Sequence, residues 1–109
     1  MGDDDNDEIL KHTMKLCDNE YVLSNIEKRL QLGKNKYGHG VIALSDVSKW
    51  TQSKKDSWLE MASEEFYDGI VYLNAERIRR KKNNTLTNKE EEKLNLAIQL
   101  LASTISEFV

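Results

Sequence analysis

Glu60, Glu64 and Asp68 recur every fourth residue in the segment SWLEMASEEFYDGIVYLNAERIRRKK. That spacing stacks side chains one above the next on a single face of an α-helix. Carboxylates in such a column repel one another by about a few tenths of a kcal/mol per pair, and partial burial raises the cost. A divalent cation bound among them reverses the sign, and hard oxygen donors of this kind suit Mg²⁺ or Mn²⁺. Such an ion also bridges phosphate oxygens and activates water. On the helical wheel Met61, Val71, Ala75 and Ile78 lie among or below the acids, which places the carboxylates in a cleft or at a subunit interface. The alternative is a charged face balanced by Lys54, Lys55 or a neighbouring helix, and the spacing does not choose between them. The run Glu90, Glu91, Glu92 is a weaker candidate, because acids in a first helical turn are already favoured by the helix dipole.

A second group of residues suits an anion. Lys28, Arg29, Lys34, Lys36 and His39 surround Tyr37 and the glycines Gly33, Gly38 and Gly40. Glycines let backbone N–H groups approach an anion closely and neighbouring cations add charge, while Tyr37 or Trp50 offers a ring on which a base can stack. No GK[ST] follows a strand, so this is not a P-loop. A tight connection between helices with surface lysines is the competing reading. The run Arg77, Arg79, Arg80, Lys81, Lys82 reads as a solvated helix C-terminus, with phosphate contact as its alternative.

The elements that must carry these residues are all helical. A first short helix is expected from about Asp7 to Cys17, with Ile9, Leu10, Met14 and Leu16 apolar. Asp18 or Asn19 caps a second helix that runs to about Lys34 on Val22, Leu23, Ile26 and Leu30. The three glycines then stop it and make a glycine-rich loop. Asp56 or Ser57 caps a third helix ending near Lys81, whose core stripe is Leu59, Ala62, Phe66, Ile70 and Leu73. KKNNTLTN is a turn, and Thr87 with Glu90 fits a capping box for a last helix over about residues 88–108. The two long helices should pack antiparallel across so short a turn, with the second helix lying across them. The expected fold is a single all-α domain over residues 1–109, a four-helix, bundle-like architecture with an acidic tail at residues 1–6. The third helix is apolar on two sides, so a homo-oligomer, dimer or tetramer, is expected.

Composition bounds the function. A net charge of −3 and a pI near 5.4 argue against strong nucleic-acid binding but not against a small phosphorylated ligand. The single Cys17 has no internal partner and fits a reducing compartment. No apolar run approaches the ~18 residues of a membrane span, and the acidic N-terminus is unlike a signal peptide. A cytoplasmic protein is expected.

RLQLGKNKYGHGV followed by SWLEMASEEFYDGIVYLNAERIR resembles the phage and bacterial branch of the all-α nucleotide pyrophosphohydrolases, the group of MazG-like enzymes and dimeric dUTPases. The resemblance covers about residues 20–80. Glu65-Phe66-Tyr67-Asp68 matches that family's ExxD motif, Glu60 and Glu64 extend it upstream, and Lys36-Tyr37-Gly38 is similar to the turn before the acidic helices. The family's EExxE motif has no counterpart before residue 57, where the second helix offers only Glu20 and Glu27. One helix then supplies most ligands, or a second subunit completes the site, or catalysis has been lost. The resemblance implies Mg²⁺ on Glu60, Glu64 and Asp68, with Glu65 as a further ligand or the base that orients water. Arg29, Lys34 and Lys36 would neutralise phosphate. The expected activity is hydrolysis of a nucleoside triphosphate between its α and β phosphates. The alternative is a phage protein, acting in the host cytoplasm, that sequesters a cyclic or modified signal nucleotide without cleaving it. A plain helical interaction protein is the third option.

Overall fold

The computed structural model describes residues 4–108. Among these it contains four α-helices, one 3₁₀ turn and no strand: α1 (Asn6–Leu16), α2 (Glu20–Tyr37), the turn Ser48–Trp50, α3 (Trp58–Lys82) and α4 (Asn88–Phe108). The all-α architecture expected from the sequence is therefore present. The chain forms two compact units, Met1–Ser45 and Asp46–Val109.

In the first unit α1 packs on α2. Asn19 caps α2 by accepting the Val22 N–H at 3.1 Å. Leu23, Ile26, Leu30 and Gly33 form its half-buried stripe, so Gly33 lies inside the helix rather than ending it. The helix runs three residues past the expected Lys34 because Gly38 supplies the terminator. With φ 80° Gly38 takes the left-handed conformation, and its N–H donates to the Lys34 carbonyl, the usual way for a helix to close. The expected glycine-rich loop is thus reduced to Gly38 and Gly40.

Gly40 has a different task. The start of α1 and residues 40–43 are laced together by side chains of the acidic tail. Asp4 Oδ2 accepts from Gly40 N–H at 3.3 Å, Asn6 Oδ1 from Val41 N–H at 2.9 Å, and Asp5 Oδ2 from Ala43 N–H at 2.7 Å. Asp5 N–H returns a bond to the Val41 carbonyl at 2.7 Å. A Cβ at position 40 would stand 2.6 Å from both Asn6 and Asp4 side-chain atoms, so only glycine admits this approach. Residues 4–6 of the expected acidic tail are therefore a clasp.

In the second unit α3 and α4 form an antiparallel hairpin. Arg80 meets Glu90, Arg77 meets Glu91 at 2.7 Å, and further along Gly69 lies beside Leu101. Ser57 caps α3 through the Glu60 N–H at 3.0 Å, and the Thr87 hydroxyl accepts the Glu90 N–H at 3.1 Å. The α3 C-terminal basic run is not simply solvated, because Arg77 and Arg80 tie the turn to the first turn of α4. Residues 46–56 are ordered by side-chain bonds: Asp56 accepts from Val47 N–H at 2.9 Å, and the buried Thr51 hydroxyl donates to the Lys55 carbonyl at 2.9 Å.

Burial is sparse. Val47 and Ile105 are the only buried hydrophobic residues among those described, while Val71, Leu96 and Leu100 are more than 60 % exposed. No helix of the described residues is long and apolar enough to cross a membrane.

Two measurements test this picture. Gly40→Ala should destabilise the α1–α2 unit by about 1–3 kcal/mol, the usual cost of overpacking, read as faster amide exchange over residues 6–16. The Asn6 N–H and then Lys34 hold the Asp4 carboxyl below its ordinary value; the Thr87 hydroxyl and then Arg80 do the same for Glu90. An unfolded chain binds protons at these groups before the folded one does, so their contribution is whole above the ordinary carboxylate range. It is lost as the pH falls below about 4 through the lowered values. Thermal unfolding from pH 6 to pH 3 should show stability falling only at the acid end, and less so in Asp4→Asn.

Candidate functional site

The α3 column does share one concavity. Glu60, Glu64, Glu65 and Asp68 line an open groove of about 740 Å³ together with Trp50, Gln52, Ser53 and Tyr67. All belong to the second unit. Two features of the sequence place them: the Ser57 cap fixes where α3 begins, and the four-residue spacing then sets Glu60, Glu64 and Asp68 in line. The loop 48–53 supplies the opposite wall.

Glu64 joins the two walls, its Oε2 accepting the Gln52 N–H at 2.9 Å. This contact was not legible in the sequence, because a backbone donor carries no residue signature. Glu60 and Glu64 are half-buried, whereas Glu65 and Asp68 are exposed. Among the described residues no Lys or Arg nitrogen forms an ion pair with any of the four. The balancing role considered for Lys54 and Lys55 is therefore not made through a direct ion pair. Trp50 lies at the rim with the Lys49 ammonium 5.7 Å from its ring centroid, a cation–π distance.

Among the described residues no three His, Cys, Asp or Glu side chains converge closely enough to hold a metal by themselves. The column explains why: neighbours one turn apart keep their Cβ atoms roughly 5–6 Å from each other. Such a column still fits Mg²⁺, which keeps several waters and is commonly bound by one or two carboxylates plus substrate phosphates. The Glu64 oxygen that does not meet the Gln52 N–H would be its contribution to such a site.

Of the expected anion-binding residues, Trp50 lines this groove. Arg29, Lys34, Lys36, Tyr37 and His39 belong to the first unit. Lys34 pairs with Asp4 at 3.5 Å, Lys36 lies 5.3 Å from the Tyr37 ring centroid, and His39 Nδ1 donates to the Gly40 carbonyl at 2.7 Å. Lys34, Lys36 and His39 thus serve local contacts. Glu90 and Glu91 are committed to Arg80 and Arg77, in line with the capping role rather than a site. Asp4, Asn6 and Gln52 carry contacts that sequence reasoning did not single out.

Comparison with protein-family models, with curated proteins and with solved structures finds no match.

The Glu64 contact separates anchoring from charge. Glu64→Gln keeps an acceptor for the Gln52 N–H and should leave the loop in place. Glu64→Ala should raise amide exchange at Gln52 at least about tenfold, the loss of one charge-assisted hydrogen bond of about 1.5–3 kcal/mol.

Proposed function

We propose that the groove on α3 takes a nucleoside triphosphate as its Mg²⁺ complex and that the protein is a pyrophosphohydrolase, cleaving between the α and β phosphates. The observation that carries this reading is the meeting of four carboxylates, none paired with a cation among the described residues, and two aromatic rings in one open groove. The resemblance of residues 20–80 to the MazG-like and dimeric dUTPase group supports the same class of ligand.

Glu60, Asp68 and the second oxygen of Glu64 are the residues that would hold Mg²⁺, which supplies charge neutralisation on the phosphate oxygens and polarises a bound water. Trp50 and Tyr67 stack the base. Glu65, exposed beside the column, accepts a proton from water as that water's oxygen bonds to the α phosphorus. The bond from that phosphorus to the bridging oxygen breaks, giving a nucleoside monophosphate and pyrophosphate. Arg29, Lys34, Lys36, Tyr37 and His39 enter no step of this scheme.

A second reading is binding without turnover, with the groove sequestering a nucleotide such as a cyclic signal in a phage's defence against its host. The engagement of Glu64 by the Gln52 N–H favours it, because a carboxylate already occupied is a poorer metal ligand.

Pyrophosphate release from a panel of nucleoside triphosphates with Mg²⁺ decides between them. The enzyme reading expects release from at least one nucleotide, abolished by chelation. Glu65→Gln should then lower kcat by about 10²–10⁴-fold with KM little changed, and Trp50→Ala should raise KM roughly 5- to 150-fold from lost stacking. A folded protein that binds a nucleotide and returns it intact establishes the second reading. One that binds none, with or without Mg²⁺, overturns both.

A further inference from the structure

The loop that walls the groove opposite α3 carries charge of its own. Residues 46–56 hold three lysines, Lys49, Lys54 and Lys55, and two acids, Asp46 and Asp56. Both acids engage the backbone: Asp46 accepts the Ser48 N–H at 2.8 Å and Asp56 the Val47 N–H at 2.9 Å. None of the three lysines forms an ion pair among the described residues. Their positions flank the groove. Lys49 sets its ammonium 5.7 Å from the centroid of Trp50, a lining ring. Lys54 and Lys55 follow directly on Ser53, a lining residue.

Exposed lysines on a loop need no ligand to explain them. Lys54 differs from the other two in its backbone. Its φ is 64°, in the left-handed region that burdens any residue with a Cβ and that glycine or asparagine adopts more readily. The only other non-glycine residue there among those described is Asn84, a type that tolerates it. The turn imposes the conformation: the Lys54 N–H donates to the Thr51 carbonyl at 3.3 Å, and the buried Thr51 hydroxyl donates to the Lys55 carbonyl at 2.9 Å. A glycine would satisfy the same turn. Backbone strain of this kind collects at ligand clamps.

The electrostatics point the same way. A polyphosphate chain stays negative with Mg²⁺ bound, and the groove lining offers it four carboxylates and no Lys or Arg. Without cations on the facing side the chain and the acids repel. The loop lysines stand on that side.

We infer that Lys54, supported by Lys55 and Lys49, holds the β and γ phosphates of the nucleotide, so that α3 takes the metal and the loop takes the anionic tail. The inference rests on the nucleotide reading of the groove. It adds a ranking of ligands, triphosphate above monophosphate, set by the loop.

Calorimetry on the full chain with Mg²⁺ tests it. The probes are the α,β-methylene analogues of the four common nucleoside triphosphates, which resist cleavage at that bond, and the four monophosphates. Lys54→Gly removes the ammonium and suits the positive φ, so it should melt no lower than the parent protein. It should weaken the preferred triphosphate analogue about tenfold, the loss of one charge-assisted contact, and leave the monophosphate unchanged. Lys54→Arg keeps the charge and should retain the parent's affinity. Lys49→Ala with Lys55→Ala leaves the backbone of Lys54 alone and should also weaken the triphosphate selectively, which keeps the test decisive if glycine disturbs the turn. Triphosphate affinity unchanged in these variants overturns the inference and leaves the nucleotide reading standing. So does equal weakening of triphosphate and monophosphate, or a loss in Lys54→Arg as large as in Lys54→Gly. A parent protein that binds none of these ligands overturns both.

Discussion

Backbone N–H groups held by carboxylate and amide side chains fix both loop regions of this molecule. Asp4, Asp5 and Asn6 hold residues 40–43, Asp56 holds Val47, and Glu64 holds Gln52. With only Val47 and Ile105 buried among the described hydrophobic residues, apolar packing alone has little grip on the segments between helices. An exposed loop must satisfy its backbone polar groups with side chains or water, and here short acids and one asparagine do so at defined points. The order of the candidate groove follows from this, since one of its walls is a loop with no regular secondary structure beyond a single 3₁₀ turn.

What the sequence disclosed and what it concealed divide along the range of the interaction. Asn19, Ser57 and Thr87 were legible as caps because a cap and its donor lie three residues apart, and the alignment of Glu60, Glu64 and Asp68 was legible because helical periodicity is local. The clasp spans some 35 residues, so residues 4–6 read only as part of an acidic tail. Gly33 was mistaken for a helix terminator because a glycine within a helix costs only about 1 kcal/mol, too little to stop a helix that packs on a neighbour. Gly38 is the terminator, distinguished by a positive φ that composition does not reveal. The basic residues grouped near Tyr37 were adjacent in sequence to the segment before α3, yet they fall in the other compact unit.

The helix α3 has to satisfy two demands at once. One side carries the hairpin contact through Arg77, Arg80 and Gly69, and the other carries both the acids and an apolar stripe. A helix with apolar residues on opposing sides has no single wet face, and Tyr67, Val71 and Ile78 are exposed on the side away from α4. Glu60 and Glu64 lie at one end of that side and Lys82 at the other, with Val71 between them.

The bond between Glu64 and the Gln52 N–H ties the groove's occupancy to the order of its own wall. One carboxylate oxygen cannot satisfy both a bound ion and the loop amide at full strength. A ligand that draws on both oxygens works against an anchor of about 1.5–3 kcal/mol, and by reciprocity a loosened loop raises that ligand's affinity by the same factor. A ligand content with the remaining oxygen leaves the loop shut. Any ligand this groove held would therefore be sorted by how much of the Glu64 carboxylate it required.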